Sequence, residues 1–343
     1  MKIYENLFEA IISVENLFSA WEKFRKGKRN RKDVQAFEWL LEPNIFQLHR
    51  DLKSRRYKHG NYHTFYIQDP KQRLISKAAV RDRIVHQALF NVLNPIFEAG
   101  FISTSFSCRV GKGTHRGVLT VDKMIRQVSR NYTHPCFVLK CDIKKFFRSV
   151  DHQMIIEAFA RRIKDEDALW LLRRIVESFP NGMPIGNLTS QLFANIYMNE
   201  FDQFVKQDLG VKHYARYTDD FIVVAPNEEY LANLLEPIRE FLRHNLSLEL
   251  HPNKVSIRKY QQGADFLGYV ILPHRRQLRT KTKRRVLKNI DQRLNQYKGN
   301  AISRYDFSQS LASYHGVLRH ANTYKLRQKI QTSLLSWVFF QFL

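Results

Sequence analysis

The sequence predicts an α+β fold in which helices surround an antiparallel sheet. Apolar and polar residues alternate with period two along Phe137–Ile143, which is typical of a half-buried strand. Further along, Thr218 and the adjacent pair Asp219 and Asp220 separate two strand-like segments, as the turn of a hairpin would. Around these strands, apolar residues recur at helical spacing, which predicts helices on either side of the sheet.

The first third of the chain is predicted to be mostly helical. Residues 1–58 contain two amphipathic stretches separated by a basic run, Lys23 to Lys32, and we expect them to form an N-terminal helical extension. A strand is predicted at Tyr62–Tyr66. Helical spacing then predicts a helix within Arg73–Phe97, and Ser103–Gly113 is predicted to be strand and loop.

The middle of the chain carries clear helix start signals. Helices are predicted from about His152 and from about Glu166, because each follows an aspartate suited to N-capping. A third helix is predicted from about Thr189. Asn227 is expected to cap a further helix that Pro237 divides. Short strands are predicted after it at Leu248–Leu250, Val255–Arg258 and Ala264–Leu272.

The charge balance indicates a polyanionic partner. The chain has 56 Lys and Arg against 32 Asp and Glu, so its formal net charge is +24. Such an excess favours nucleic-acid binding, although a generally basic surface without that role is the alternative. Basic residues are densest from Arg275 to Lys288, where a helix in contact with phosphates is predicted.

Other classes of protein fit the sequence less well. The cysteines Cys108, Cys136 and Cys141 are too few for a disulfide framework and indicate a reducing cytoplasm. The charged N-terminus is unlike a signal peptide, and no apolar run reaches the roughly 18 residues of a membrane span. The apolar segment Leu334–Leu343, which contains Trp337, is expected to pack as a terminal helix or to dock a partner.

The adjacent carboxylates Asp219 and Asp220 indicate a cation site. Adjacent aspartates repel each other, and a hairpin turn does not need them. In the alternating strand, Asp142 lies on the polar face. If the two strands pair, three carboxylates converge and could hold two divalent cations about 3.5–4 Å apart, as phosphoryl transfer requires.

Two motifs resemble those of the reverse transcriptases. Lys140-Cys141-Asp142-Ile143-Lys144-Lys145-Phe146-Phe147 is similar to the first catalytic palm motif of that family, and Tyr217-Thr218-Asp219-Asp220 to the second. The resemblance runs from about Arg73 to His320. It implies a right-hand polymerase fold with fingers at 59–135, an antiparallel palm at 136–274 with inserted fingers helices at about 152–180, and a helical thumb at 275–343.

The same resemblance assigns roles at the nucleotide. Asp142, Asp219 and Asp220, with the carbonyl of Ile143, would bind two Mg²⁺ ions, for which Mn²⁺ could substitute. Phe147 would exclude a 2′ hydroxyl sterically, or else be a core residue. Three basic residues would grip the dNTP triphosphate, with a helix-surface salt bridge as the alternative: Arg83, and more weakly Lys77 and Arg81.

Further roles concern the leaving group and the nucleic acid. Lys254 would protonate pyrophosphate, or else be a solvated turn lysine. Phe266, Leu267, Gly268 and Tyr269 resemble the primer grip, where glycine lets the backbone approach the primer, with an ordinary buried strand as the alternative. The thumb residues expected to contact template RNA and the primer or cDNA are Lys281, Lys283, Arg284 and Arg285.

One segment resembles the reverse transcriptases of diversity-generating retroelements. In Met183–Gln191 an isoleucine, Ile185, precedes Gly186 where glutamine is commoner, and Gln191 follows a serine. This resemblance implies frequent errors opposite template adenines and a basic, ring-forming accessory protein as partner. The alternatives are an antiphage-defence reverse transcriptase that copies a noncoding RNA, and an inactive RNA-binding scaffold on the same fold.

Overall fold

The computed structural model describes residues 2–68 and 71–340, with side chains through 332. The helices are α1 Leu7–Ile12, α2 Val14–Arg25, α3 Lys32–Trp39, α4 Leu41–Lys53, α5 Val80–Glu98, α6 Thr114–Val128, α7 Phe146–Ser149, α8 His152–Ala160, α9 Glu166–Val176, α10 Leu188–Gln203, α11 Glu228–Asn233, α12 Leu235–Leu246, α13 Thr280–Lys298, α14 Arg304–Arg319 and α15 Tyr324–Phe340. The strands are β1 His63–Ile67, β2 Arg73–Lys77, β3 Phe137–Asp142, β4 Tyr214–Tyr217, β5 Asp220–Ala225, β6 Ser256–Lys259, β7 Ala264–Phe266, β8 Tyr269–Leu272 and β9 Arg275–Leu278. The α+β prediction is therefore confirmed.

The start signals read from the sequence are confirmed at three helices. The Asp151 carboxylate accepts a hydrogen bond from the Met154 amide at the start of α8, and Asp165 accepts two at the start of α9. Asn227 accepts from the Glu229 amide at the start of α11. The predicted division near Pro237 separates α11 from α12, because proline fits the first turn of a new helix better than the interior of an old one.

Two predicted helix starts are wrong. Arg73–Lys77 is strand β2, which pairs antiparallel with β1, and the helix α5 begins only at Val80. The basic run also begins as a strand, since Arg275–Leu278 is β9 and pairs with β8. In both cases the partner strand satisfies the backbone and overrides the local helical pattern.

The described strands form three sheets. One is the β1–β2 hairpin, one has the order β4-β5-β3-β6, and one has the order β7-β8-β9. The alternation predicted along β3 is confirmed from Leu139 onward, where Leu139 and Cys141 are buried and Lys140 and Asp142 are partly exposed. It is wrong at the start of the strand, where Val138 is buried and Phe137 is partly exposed. In the strand order, β5 lies beside β3, so the hairpin that carries the adjacent aspartates belongs to the same sheet as Asp142.

The chain divides into two compact units. Unit 1 comprises the described residues up to Gly111 together with Cys141–Phe221 and Leu234–Val255. Its helix α5 packs against α2 and α10. Unit 2 comprises Lys112–Lys140, Ile222–Asn233 and the described residues from Ser256 onward, and within it α13 packs against α14.

Two predictions about apolar segments concern membrane spans and a docking segment near the C-terminus. Among the described helices, none combines the length and the apolar content needed to cross a bilayer. The docking role predicted for Leu334–Leu343 and Trp337 concerns side chains that lie outside the described residues.

Candidate active site

The structure brings Asp142 and the adjacent pair Asp219 and Asp220 together within unit 1. Asp142 is the last residue of β3, and Asp220 is the first residue of β5. The amide of Ile143 donates a 3.1 Å hydrogen bond to the carbonyl of Asp219, which ties the end of β3 to the turn. We call these three carboxylates the aspartate cluster.

A buried ion pair fixes the turn that carries Asp219. Arg216 is fully buried, and its guanidinium donates to both carboxylate oxygens of Asp202 at 2.6 and 2.7 Å. The same guanidinium donates to the carbonyl of Thr218, whose φ of 55° is left-handed. Breaking such a buried pair typically costs about 3–5 kcal/mol, so the pair holds the turn in one conformation.

The sequence analysis missed Arg216 and Asp202. Their signal is present, because an arginine in the middle of an otherwise apolar strand must find a buried partner. Tyr214, two residues earlier on the same strand, also donates to Asp202, at 2.7 Å. What the sequence does not show is that the partner comes from α10.

The aspartate cluster carries a surplus of negative charge. Burial, followed by the charges of Asp142 and Asp220, raises the pKa of Asp219 to about 6, although the ammonium of Lys254 acts in the opposite direction. Lys254 lies against Asp142, with its Nζ 2.6 Å from Oδ1. Its position follows from the backbone, because the His251 amide donates to the Asp142 carbonyl.

The donor chemistry of the aspartate cluster fits a hard divalent cation. Carboxylate oxygens are the ligands that Mg²⁺ prefers, and the raised pKa of Asp219 shows that positive charge would be favourable here. Within the described ranges, no three His, Cys, Asp or Glu side chains are already arranged as a metal site.

Phe147 is held in place by a close approach of two backbones. It lies in the short helix α7, is half-buried, and packs edge-on against Phe146. Its carbonyl accepts a 2.6 Å hydrogen bond from the Met183 amide. Gly182 makes this approach feasible, because its φ is 66° and any Cβ there would collide with the Phe147 carbonyl oxygen.

The segment that contains Ile185 and Gly186 is bound to strand β2. The Ile185 carbonyl accepts from the Ser76 amide at 2.9 Å. The buried side chain of Asn187, which the sequence analysis missed, accepts from the Ala78 amide and donates to the Ser76 carbonyl. Ile185 is partly exposed, and Gln191 is exposed in the first turn of α10. Gly186 has a φ of 116°, and a Cβ there would lie 2.7 Å from a methyl group of Ile75.

The predicted triphosphate residues contact the N-terminal helices. Lys77 and Arg83 share one carboxylate oxygen of Asp33, each at 2.8 Å. Arg83 also lies 4.7 Å from the ring centre of Phe24, and its side chain is only 11% exposed. Burial lowers the pKa of Arg83, and Asp33 opposes that change. We call Lys77, Arg81 and Arg83 the basic cluster.

Arg81 has a different acidic partner from the other two members of the basic cluster. Its guanidinium pairs with Asp51 at 2.8 Å and lies 4.9 Å from the ring centre of Tyr57. Each of the three basic side chains therefore pairs with an acid from the N-terminal helices, and the two carboxylates of Asp33 and Asp51 serve all three cations.

The predicted primer grip and thumb residues lie in unit 2. Leu267 and Gly268 form the two-residue turn between β7 and β8, with φ of 50° and 88°. Phe266 and Tyr269 are buried on either side of it. The Gly268 carbonyl accepts from the Arg279 amide just before α13. In the first turns of α13, Lys281, Lys283 and Arg284 are exposed and Arg285 is half-buried.

A protein-family model matches the part of the chain that contains both aspartate motifs. Residues 58–271 match the family model described as reverse transcriptase (RNA-dependent DNA polymerase). This range includes the aspartate cluster, Phe147, Lys254 and the basic cluster, whereas α13 lies beyond it.

Several curated proteins are similar to this chain. Protein YkfC of Escherichia coli K12 is 26% identical over 247 residues, which cover 60% of this chain and 64% of that protein. The group II intron-encoded protein LtrA of Lactococcus lactis subsp. cremoris is 23% identical over 348 residues, covering 79% of this chain and 57% of LtrA. The matches thus span 64% and 57% of the lengths of these two relatives.

A solved structure of apo telomerase from Candida tropicalis is also similar, with a TM-score of 0.48 and 12% identity over 67% of this chain and 50% of that one. The family model carries the assignment, because it covers more than half of the residues and contains both aspartate motifs in order. The chain belongs to the reverse transcriptase family.

Proposed function

We propose that this chain is an RNA-directed DNA polymerase that copies template RNA into cDNA by extending a primer with dNTPs. The observation that supports this most directly is the hydrogen bond between Ile143 and Asp219, which joins the two motifs and gathers Asp142, Asp219 and Asp220 at one end of a sheet. Family membership is consistent with the same reaction.

In this proposal the aspartate cluster holds two Mg²⁺ ions, with the carbonyl of Ile143 as a further ligand. When bound, the ions supply Lewis-acid stabilisation of the attacking 3′ hydroxyl and of the leaving pyrophosphate. Lys254, which lies against Asp142, is in reach of the same reaction and is proposed to donate a proton to pyrophosphate.

The chain's other residues bind and select the nucleotide. The ring of Phe147 is proposed to occupy the space that a 2′ hydroxyl would need, so that deoxynucleotides are favoured. The basic cluster is proposed to bind the triphosphate once the ion pairs of Lys77 and Arg83 with Asp33 have broken. The turn at Leu267 and Gly268, with the exposed basic residues of α13, is proposed to contact the primer and template backbones.

A primer-extension assay tests the reaction. Wild-type protein should incorporate dNTPs on a primed RNA in the presence of Mg²⁺, and Asp219→Asn should abolish incorporation because a neutral amide binds the ions poorly. Asp208→Asn, at an exposed residue, is the matched control and should retain activity. RNA binding without incorporation by the wild type would instead indicate the inactive scaffold.

We further propose that the enzyme belongs to a diversity-generating retroelement and is error-prone at template adenines. The support is Ile185, a partly exposed apolar side chain on a segment fixed to β2, where an amide would offer hydrogen bonds to restrain the pair being formed. Losing one or two such bonds shifts discrimination by about 1–3 kcal/mol, or roughly five- to a hundredfold. A basic, ring-forming accessory protein would be the expected partner, in the cytoplasm of a bacterial or phage-infected cell.

Error spectra test this finer proposal. Ile185→Gln should reduce misincorporation opposite adenine by the same factor, whereas Ile185→Val should preserve the wild-type spectrum. Equal spectra in wild type and Ile185→Gln would refute it. Sequencing the RNA and cDNA that copurify with the chain then separates a template repeat with adenine-directed errors from a noncoding RNA copied faithfully, as a defence enzyme would copy it.

A further inference from the structure

A left-handed turn follows helix α6 in unit 2. Three consecutive residues have positive φ, namely Arg130 at 47°, Asn131 at 58° and Tyr132 at 71°. L-amino acids with side chains disfavour this region, and they adopt it as isolated residues far more often than in succession. A run of three non-glycine residues persists only where surrounding contacts determine it.

Those contacts are present on every side of the turn. The Asn131 amide donates to the Arg126 carbonyl, and the Tyr132 amide donates to the hydroxyl of Ser129. The Tyr132 carbonyl accepts from the Tyr260 hydroxyl at 2.8 Å. The Tyr132 hydroxyl itself donates to Asp122 at 3.2 Å. The fold therefore maintains a strained turn, and such strain is concentrated at functional sites.

The turn borders a strongly basic depression. Two adjoining cavities of about 600 and 500 Å³ share Asp122, Arg126, Asn131 and Arg276 in their walls. Their remaining cations include Lys123, Arg130 and Arg275, of which all three are exposed. We call this depression the Arg130 pocket.

The acid in the Arg130 pocket is already neutralised. One carboxylate oxygen of Asp122 accepts from Arg276 at 2.7 Å, and the other accepts from Tyr132. The exposed cations Lys123, Arg126 and Arg130 therefore remain to attract an anion. Arginine is suited to phosphate, because its planar fork donates two parallel hydrogen bonds to a phosphate group.

The pocket also contains aromatic rings. Tyr132 stacks against Tyr260 and meets the ring of His274 with their centres 4.6 Å apart. Both Tyr132 and His274 line the 500 Å³ cavity beside Arg275. Aromatic rings next to guanidinium groups are the combination that binds unstacked bases of single strands.

We propose that the Arg130 pocket binds a nucleotide of single-stranded RNA, with its phosphate on Arg126 and Arg130 and its base against Tyr132 and His274. The cavity volumes lie in the range of small-ligand sites. An acidic peptide would satisfy the charge but would make no use of the rings. The choice of RNA rests on the proposed copying of RNA, and none of the pocket residues belongs to the proposed polymerase site.

Equilibrium binding of a short, unstructured, fluorescently labelled RNA to the full chain tests the proposal. The measurement is made in EDTA, so it does not depend on polymerase activity. Arg126→Ala with Arg130→Ala should weaken binding and flatten the dependence of log affinity on log salt by about 0.7, the contribution of one single-strand phosphate contact. The matched control is Arg173→Ala with Arg174→Ala, which removes the same charge from exposed positions of α9. Equal changes in both pairs would overturn the proposal.

Arg130→Gly separates binding from folding. Glycine adopts the left-handed turn without strain, so this variant should melt at a higher temperature while binding RNA more weakly. Arg55→Gly is its control, because Arg55 has a φ of 55° in unit 1 and pairs with Asp167. Unchanged RNA affinity in Arg130→Gly, or an equal loss in Arg55→Gly, would refute a specific site.

Competition identifies the ligand class. Unlabelled RNA should displace the probe from wild type better than DNA of the same sequence or polyglutamate does. Equal displacement by DNA would overturn the assignment to RNA, and equal displacement by polyglutamate would overturn the assignment to nucleic acid. Primer extension at saturating template reports on the proposed function separately, and the pocket variants should retain it.

Discussion

Unit 1 contains the aspartate cluster at the end of β3 and the basic cluster at β2 and the start of α5. Each cluster is accompanied by side chains of opposite charge. At the aspartate cluster, the Nζ atom of Lys254 lies 2.6 Å from Oδ1 of Asp142. The pKa of Asp219 nevertheless remains raised to about 6, because burial and the charges of Asp142 and Asp220 outweigh that ammonium.

At the basic cluster the balance is reversed. Burial alone would raise the pKa of Asp33, but its hydrogen bonds and charge interactions with Lys77 and Arg83 outweigh burial and hold the pKa below its usual value. Asp51 forms an ion pair with Arg81.

This contrast indicates what each cluster needs. The aspartate cluster keeps an excess of negative charge that an external cation would neutralise. The basic cluster is paired with two carboxylates of the N-terminal helices, so a triphosphate must compete with Asp33 for Lys77 and Arg83. Substituting the side chains of opposite charge tests both statements.

Among the side chains that accompany the two clusters, Lys254 is expected to have the largest effect. Lys254→Met should lower the rate of single-nucleotide incorporation by about 10² to 10⁴, the usual contribution of a general acid.

Lys144→Met is the control for Lys254. Lys144 follows Asp142 closely in the chain, but its ammonium pairs with the exposed Glu249 at 2.9 Å. It should retain nearly the wild-type rate. If both variants lose the same activity, the contribution of Lys254 is general electrostatics rather than proton donation.

A substitution at Phe147 tests whether this side chain selects the sugar of the incoming nucleotide. Phe147→Val should raise ribonucleotide incorporation relative to deoxynucleotide by about 10- to 200-fold, as expected when a group that fills a pocket is removed. The measurement is the ratio of kcat/KM for the two nucleotides. Phe146→Leu, at the buried neighbour, should leave the ratio unchanged, and an unchanged ratio in Phe147→Val would make Phe147 a packing residue.

His86 tests the charge balance behind the basic cluster. Burial first, then the charges of His59 and Arg83, lowers the pKa of His86 to about 3. Since this folded value lies below the unfolded one, the stability that neutral His86 contributes is complete above about pH 6.5 and is lost as the pH falls toward 3. At pH 5 the loss is about 2 kcal/mol.

Urea unfolding between pH 5 and 7 measures this loss. His86→Gln should flatten the dependence, because glutamine can replace the hydrogen bond to His59 but does not titrate. His244→Gln, at an exposed position of α12, should keep the wild-type slope. An unaltered slope in His86→Gln would place the acid sensitivity elsewhere.

The sequence predicted most of what depends on local signals. The starts of α8 and α9 follow from Asp151 and Asp165, because a capping carboxylate acts within one turn. The period-two pattern and the hairpin placed Asp142 and the pair Asp219 and Asp220 at strand ends, but their convergence was conditional on the pairing of two strands that are distant in the chain.

The remaining features depend on residues distant in the chain. Arg73–Lys77 is a strand because β1 pairs with it. The local sequence pattern does not indicate that pairing. The Arg216–Asp202 pair and the contact of Asp33 with Lys77 join different elements. Sequence reasoning found the charged groups of the site but not the partners that neutralise or orient them.

The smallest effect is expected at Asp33. Asp33→Asn removes the negative charge that Lys77 and Arg83 share, while the amide oxygen can still accept a hydrogen bond. If the basic cluster binds the triphosphate, the KM for dNTP should fall about two- to fivefold, which corresponds to losing one partly exposed ion pair of about 0.5–1 kcal/mol. The rate at saturating dNTP should stay the same.

Glu38→Gln is the matched control, because Glu38 lies on the same helix α3 but pairs with Arg25. It should leave the KM unchanged, so any general effect of altering α3 is excluded. An unchanged KM in Asp33→Asn, together with a lower melting temperature, would show that Asp33 anchors the N-terminal helices to α5 and that the triphosphate binds elsewhere. A lower KM with unchanged stability would show that the N-terminal helices set how readily the basic cluster accepts a nucleotide.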